Sequence, residues 1–320
     1  MIFDNRVTRL LGVDIPIVQA PMGYIAKPAL VAAVANAGAG GLVPGSLGIE
    51  EVRADIRRTR ELTDRPFGVN LPLAFVRDPK IVDMIVEEGV EFVTTSAGSP
   101  DTYTPVLKAA GLIVFHVVPS LAAAQRAANA GVDGLVVEGS EGAGFKNPRE
   151  VSTMVLLPLV CQRIDLPVIA AGGIADGASM AAAFALGAEG VQMGTRMVAS
   201  LESPVHQNLK DAVVAALETD TMIINQHNRK PVRVLRTQTT ARFEGVVDGD
   251  PMPLLGRILE LYADGDMESS LPQLGAVAGR IAEILPAAEI VRRTVDEFAA
   301  IVHGLAARYP AQHETATQLS

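Results

Sequence analysis

The 320-residue chain has no tryptophan, a single cysteine and few aromatic residues. Cys161 cannot form a disulfide within the chain, and its apolar neighbours favour a small buried packing residue. Aromatic residues make up only 4% of the chain while 49% of it is hydrophobic, so a large core must be built from Val, Ile, Leu, Ala and Met. Such a core is typical of parallel strands that are buried on both faces.

The chain also lacks an excess of basic charge. Its net charge is −9 and its isoelectric point is near 5.1, which disfavours non-specific binding to nucleic acid or to an anionic membrane. No stretch resembles a secretory signal, no apolar run reaches membrane-spanning length, and no cluster of metal ligands stands out. We therefore expect a cytoplasmic protein without a nucleic-acid, membrane or metal partner.

Short apolar runs alternate with stretches of helical pattern, which is the signature of repeated βαβ units. The runs lie at 15–21, 40–46, 67–73, 92–98, 112–118, 134–140, 167–173 and 190–196. An open, doubly wound sheet would give the same alternation. Eight evenly spaced units favour a closed (β/α)8 TIM barrel of the α/β class.

The rhythm changes after Arg196. Residues 204–219, 252–264 and 272–308 have helical patterns, and two short strand-like pieces lie between the first two of them. We predict a barrel formed by residues 1–204 and about 286–310, with a helical cap of about 205–285 inserted after the eighth strand to cover the substrate.

Glycines lie near the ends of the seventh and eighth runs, where each strand passes into its loop. Gly172 and Gly173 end the seventh run, and Gly194 and Thr195 lie near the end of the eighth. Glycine backbone N–H groups at these positions can bind a phosphate, which is where phosphate-binding barrels hold it. Glycine also serves simply to turn a loop, but two such loops in consecutive units favour the phosphate site.

Two polar residues interrupt the apolar strands. Asn70 lies within the third run and Glu138 lies at the end of the sixth. Buried polar side chains need hydrogen-bonding partners, and a ligand with several polar edges, such as an isoalloxazine ring, would supply them. The alternative is that each pairs with loop backbone.

Several motifs together resemble the nitronate monooxygenase (2-nitropropane dioxygenase) family, which includes the FMN-dependent enoyl-ACP reductase II enzymes. The motifs are QAPMG, LTDRPFGVN, EGSEGAGF, PVIAAGGIADG and GVQMGTRMVASLESPVH, and the resemblance runs nearly end to end. It implies non-covalently bound FMN, and no cluster of ligands in the sequence implies a metal. The cofactor-binding residues that it implies are Ala20, Pro21, Met22, Gly23, Asn70, Glu138, Ala143, Gly144, Gly172, Gly173, Gln192, Met193, Gly194 and Thr195.

One position departs from the family pattern. The loop after the sixth strand ends in Gly-Gly-His in the family, and that His transfers the proton, whereas this chain has Phe145 there. The catalytic residue is therefore unknown. His116 is a candidate if it points into the barrel, although a hydrogen-bonded core histidine is the favoured interpretation.

Three further residues are candidates for the substrate pocket. Tyr24 follows the loop after the first strand, and Phe145 could form an apolar wall beside the flavin. Lys146 could attract a phosphate by its charge, with a solvated lysine on a mobile loop as the alternative. Tyr24 could equally be a packing residue.

The leading hypothesis is an FMN-dependent oxidoreductase in which NADH or NADPH supplies electrons to an activated alkene or quinone, with a small-molecule or acyl substrate. The alternative is a nitronate monooxygenase that oxidises alkyl nitronates with O₂. A hypothesis of another class is an inactive flavin- or phosphate-binding barrel. The sequence leaves open the choice of nicotinamide and the oligomeric state, for which a homodimer is one option.

Overall fold

The architecture is a closed barrel of eight parallel strands with helices around it. The computed structural model describes residues 2–310. The strands are β1 (Ile17–Gln19), β2 (Gly41–Pro44), β3 (Phe67–Pro72), β4 (Phe92–Ser96), β5 (Ile113–Val118), β6 (Gly134–Glu138), β7 (Gly144–Phe145), β8 (Val168–Ala171), β9 (Gly190–Met193), β10 (Thr221–Ile224) and β11 (Val232–Leu235). All except β7, β10 and β11 belong to the barrel.

Strand pairing closes the barrel between its first and last strands. Neighbouring strands pair in parallel around the ring, and β9 pairs with β1 through Val191 and Ile17. On its other side, β1 meets the β2 edge through a bridge between Val18 and Gly40. The eight apolar runs of the sequence coincide with the eight barrel strands, so the TIM-barrel prediction is confirmed.

The α-helices follow the strands in the expected alternation. They are α1 (Arg6–Leu11), α2 (Pro28–Asn36), α3 (Ile49–Leu62), α4 (Lys80–Glu87), α5 (Thr104–Ala109), α6 (Leu121–Asn129), α7 (Thr153–Arg163), α8 (Gly177–Ala185), α9 (Thr195–Val198), α10 (Gln207–Ala215), α11 (Gln238–Ala241) and α12 (Ala287–Arg308). Short 3₁₀ turns lie at Leu73–Phe75, Met252–Arg257 and Ala276–Arg280, and a π turn lies at Glu260–Asp264.

Strand alternation divides the core into two layers. Side chains such as Phe92, Phe115 and Ile169 fill the barrel interior and meet Val7 and Leu11 of α1. The intervening side chains pack outward against the helices, where most of the buried apolar residues lie. The amino-terminal helix α1 therefore packs on the interior layer, and the opposite end is left for a site.

The segment between β9 and α12 is less helical than its pattern predicts. Residues 272–286 contain only a short 3₁₀ turn, because Pro272, Gly275, Gly279 and Pro286 interrupt the helical pattern. Strands β10 and β11 form an antiparallel pair, and β11 also pairs with β7. The segment is therefore tied by main-chain hydrogen bonds to the loop that follows β6.

Candidate active site

A cavity of about 810 Å³ opens at the carboxyl ends of the barrel strands. All eight barrel strands or the loops that follow them contribute to its wall. Leu255, Ile258, Tyr262, Gln273 and Gly275, from the segment between β9 and α12, close one side. This is the end of the barrel where TIM-barrel enzymes carry their active sites.

Most of the residues expected from the sequence line this one cavity. They are Ala20, Pro21, Met22, Gly23, Tyr24, Asn70, His116, Glu138, Ala143, Gly144, Phe145, Lys146, Gly172, Gly173, Gln192, Gly194 and Thr195. Met193 is different, because its side chain is buried in the outer core layer while that of Gln192 faces the cavity. Only the backbone of Met193 is near the site, where its carbonyl accepts the Ala20 N–H at 2.9 Å.

The glycine-rich loops after β8 and β9 present backbone donors to the cavity. Gly172 and Gly173 have φ angles of 87° and 82°, in the left-handed region that favours glycine. Among residues 2–310, the N–H groups of Gly173, Gly194 and Thr195 have no hydrogen-bond acceptor. The Thr195 hydroxyl accepts the Gly275 N–H at 2.8 Å, which brings the β9 loop against the segment between β9 and α12, called the covering segment below. These open donors can bind an anion.

The loop after β6 is held by a carboxylate and a hydroxyl. Glu141 accepts the backbone N–H of Thr153 at 2.9 Å and so caps the amino end of α7. The Thr153 hydroxyl lies 3.0 Å from the Glu141 carboxylate and 2.9 Å from the Gly172 carbonyl. Glu141 therefore orders two cavity loops rather than standing free as an acid or base.

Polar side chains project inward from the strands. The Asn70 amide donates to the Thr94 hydroxyl at 2.9 Å and lies near Ser96. In the part of the chain that the structure describes, the Gln192 side-chain oxygen is buried without any hydrogen-bond partner. An unsatisfied buried acceptor costs about 1–3 kcal/mol, so a bound ligand that donates to Gln192 would be favoured.

Glu138 and Lys146 form an ion pair at the cavity wall. The Lys146 ammonium lies 2.6 Å from the Glu138 carboxylate, and only 4% of the Lys146 side chain is exposed. Lys146 is positioned by the pairing of β7 with β11, which continues in a hydrogen bond from its N–H to the Pro231 carbonyl at 2.9 Å. Lys146 is thus a buried ion-pair partner, and the solvated lysine given as the alternative is not what the structure shows.

Aromatic side chains form the rim of the cavity. Phe145 and Phe75 contact each other with ring centroids 6.0 Å apart, and each ring is nearly half exposed. Tyr24 lies on the same cavity wall with a left-handed φ of 63°. Exposed aromatic rings beside a concave site can bind a flat or apolar ligand.

His116 borders the cavity, but its side chain lies on the outward face of β5. It shares that face with Val114 and Val118, which pack in the outer layer. Its Nδ1 atom lies 2.7 Å from the Thr95 hydroxyl. Burial lowers the pKa of His116 to about 4, so the ring is neutral near pH 7. This geometry matches the hydrogen-bonded core histidine.

Sequence reasoning missed the cavity residues of the covering segment. Tyr262 is buried within the π turn, and burial raises the pKa of its phenol well above the ordinary value. Gln273 contacts the loop after β6. Its side-chain oxygen would lie only 2.6 Å from a Cβ added to Gly144. The apolar pattern of 252–264 was the available signal for Tyr262, whereas no local pattern indicates Gln273.

Two features are absent from the described residues. Within residues 2–310, no group of three or more His, Cys, Asp or Glu side chains is placed to hold a metal ion. No helix in the same range is long and apolar enough to cross a membrane.

A family model described as nitronate monooxygenase matches residues 4–79 and 74–297, which is most of the chain. The chain belongs to the nitronate monooxygenase family. A nitronate monooxygenase of Pseudomonas aeruginosa is 31% identical, and the match covers 92% of this chain and 99% of that protein. A (3aS,4S,5R,7aS)-5-hydroxy-7a-methyl-1-oxo-octahydro-1H-indene-4-carboxyl-CoA dehydrogenase of Rhodococcus jostii is 39% identical over 75% of this chain and 68% of that protein.

Solved structures agree with this assignment. FabK from Thermotoga maritima superposes with a TM-score of 0.90 at 40% identity, covering 96% of this chain and 99% of that one. A nitroalkane oxidase from Streptomyces ansochromogenes has a TM-score of 0.83 at 26% identity, covering 94% of this chain and 100% of that one. This member of the nitronate monooxygenase family is therefore an oxidoreductase with a TIM-barrel fold.

Proposed function

We propose that the protein is an FMN-dependent oxidoreductase that uses NADH or NADPH to reduce an activated alkene or a quinone. The observation that carries this proposal is a single cavity that combines open backbone donors with an unpaired, buried side-chain acceptor. A flavin mononucleotide has the matching chemistry, because its phosphate accepts hydrogen bonds and its ring both donates and accepts them. The cavity volume of about 810 Å³ lies within the range of cofactor sites.

The residues around the cavity divide into two groups for holding FMN. The N–H groups of Gly173, Gly194 and Thr195 would bind the phosphate. Asn70 and Gln192 would hydrogen-bond the ring edges, since both project inward from strands. Flanking contacts would come from Ala20, Pro21, Met22, Gly23, Glu138, Ala143, Gly144 and Gly172, and from the Met193 backbone. When bound, FMN supplies two-electron transfer between the nicotinamide and the acceptor.

The substrate would enter past the aromatic rim. Tyr24, Phe75 and Phe145 provide an apolar surface at the entrance. Residues of about 205–285 would act as the cap that excludes water from the reacting atoms. An acyl thioester suits this entrance, and the Rhodococcus relative at 39% identity is named for a CoA-linked substrate. A small quinone would fit the same wall.

Oxidation of alkyl nitronates with O₂ is a second candidate. It is supported by the relatives named nitronate monooxygenase, one of which matches 92% of this chain. Phe145 in place of the family His does not exclude it, because a nitronate is already deprotonated. The Lys146 ammonium at the cavity wall would pair with the negative charge of a bound nitronate.

The test is the visible spectrum of the purified protein under anaerobic conditions, followed by addition of NADPH and then NADH. A flavin band that either nucleotide bleaches rapidly, and that an enoyl thioester or a quinone then restores, supports the reductase. A band that only an alkyl nitronate bleaches supports the second candidate. Absence of bound flavin, or a flavin that none of these compounds reduces, would overturn both and leave an inactive barrel.

A further inference from the structure

Reduction of an activated alkene needs a proton as well as a hydride, and the usual residue for it is absent here. The family resemblance places a histidine where this chain has Phe145, and a phenyl ring cannot transfer a proton. Any protein-derived proton must therefore come from another side chain that lines the cavity.

Most titratable side chains of the cavity are poorly suited to this role. The His116 ring is neutral near pH 7, since its pKa is lowered to about 4, and it is turned toward Thr95 on the outward face of β5. Burial raises the pKa of Tyr262, which makes that phenol a weaker acid. The Glu141 carboxylate is engaged with the amino end of α7. Arg126 is exposed, and a guanidinium does not release its proton.

Lys146 also lines the cavity, and its surroundings suit a proton donor. Its side chain is 96% buried yet lines the cavity, and its ammonium lies 2.6 Å from Glu138. Glu138 is the only hydrogen-bond acceptor of this ammonium within residues 2–310, so further N–H donors are available to the cavity. Gly142 adjoins the pair, and a Cβ there would overlap the Glu138 carboxylate. The position next to the missing histidine thus holds an oriented acid.

We propose that Lys146 is the catalytic acid that protonates the α-carbon of the activated alkene, and that Glu138 positions it. This role rests on the proposed reductase function. A hydride that originates on the nicotinamide forms the new C–H bond at the β-carbon, and the π-bond electron pair moves toward the α-carbon. That pair takes a proton from Lys146 Nζ, which becomes a neutral amine. Water at the cavity entrance returns the proton to the amine.

Two substitutions at Lys146 separate proton donation from charge and packing. K146M removes the acid while keeping an unbranched side chain. K146R keeps the cation beside Glu138 but holds its proton too tightly to donate it. K108M is the control, because Lys108 also forms an ion pair, with Asp133 at 2.7 Å, and does not line the cavity.

The experiment follows the two half-reactions by stopped flow, with the flavin content and melting temperature of each variant measured first. NAD(P)H should reduce the flavin of both Lys146 variants at a rate within about twofold of the wild-type rate. Reoxidation by the N-acetylcysteamine thioester of crotonic acid should slow by about 100-fold or more, as expected for loss of a general acid. Reoxidation by a quinone, whose oxygens take protons from water, should change little. Added ethylammonium should partly restore the thioester reaction of K146M.

The outcomes distinguish this proposal from the function on which it rests. A wild-type protein that reduces no enoyl thioester overturns the reductase function and the acid role together. Reduction of the thioester by K146M or K146R at the wild-type rate overturns the role of Lys146 alone. Equal losses with thioester and quinone, without rescue by ethylammonium, would show a structural role and also overturn it.

Discussion

A larger side chain at Gly142 should destabilise the protein, because the Glu138–Lys146 ion pair occupies the space beside it. A Cβ at this position would overlap the Glu138 carboxylate and lie 2.7 Å from the Lys146 ammonium. The backbone of Gly142 does not have the positive φ that disfavours other residues. The effect of G142A should therefore come from displacement of the ion pair and not from backbone strain.

The size of the effect follows from the burial of the two partners. Losing the partner of a fully buried charge costs about 3–5 kcal/mol, and overpacking alone costs about 1–3 kcal/mol. Lys146 is nearly buried, but Glu138 keeps 27% exposure and can swing toward solvent. We therefore expect G142A to lower the free energy of unfolding by about 2 kcal/mol. For 320 residues this corresponds to a fall of roughly 3 °C in melting temperature.

The assay is urea unfolding at 25 °C followed by circular dichroism, with G304A as the control. Gly304 lies inside α12, and a Cβ there would meet no atom within 4 Å. The same Gly-to-Ala change should therefore stabilise the helix by about 0.5–1 kcal/mol. If G142A were as stable as wild type, and its enoyl thioester reduction equally fast, the ion-pair geometry would be refuted.

Three other predictions concern the site and its surroundings. G173A should weaken FMN binding by about tenfold in a fluorescence titration, since Gly173 has a left-handed φ at the proposed phosphate site. The control is G131A, because Gly131 also has a left-handed φ but lies outside the cavity. An equal loss of FMN affinity in G131A would count against the proposed phosphate site. Burial lowers the pKa of His116 to about 4 in the folded protein, so the unfolded chain takes up the proton first as the pH falls below 6.5. Acidification from pH 7 to 4.5 should therefore lower the free energy of unfolding of wild type by about 2–3 kcal/mol more than that of H116N, measured by urea unfolding. Equal losses would show that His116 is not buried in its neutral form. F145A should raise KM for an enoyl thioester by up to about tenfold, since it removes one ring of the Phe75–Phe145 pair at the cavity rim. The rate of flavin reduction by NAD(P)H should not change. An unchanged KM would exclude Phe145 from the wall that contacts the substrate.

The fold was predictable because its signals are local. Apolar runs alternate with helical patterns along the chain, and each run became a barrel strand. One of the stretches between the runs forms the helix Ile49–Leu62, with acidic residues in its first turn. The irregular covering segment was predicted less well, because prolines and glycines replace helix between 272 and 286.

The glycine loops of the site were also predictable. Glycine has no side chain to cover its backbone N–H, and this property can be inferred from the sequence without knowing the neighbouring residues. Gly172, Gly173 and Gly194 all line the cavity. The orientation of His116 was not predictable. Alternation places it with Val118, but both faces of a parallel barrel strand are apolar, so the pattern does not show which face points inward.

The sequence by itself determined the eightfold alternation, the positions of the glycine loops and the absence of the family histidine at Phe145. Only the tertiary structure decided that Lys146 pairs with Glu138 and that Tyr262 and Gln273 close the cavity. The pairing depends on the register between β7 and β11, which lie far apart in the chain. The spacing of apolar residues shows which nearby residues lie on the same face of a strand or helix. Contacts between segments that are distant in the sequence depend instead on the three-dimensional arrangement of the whole chain.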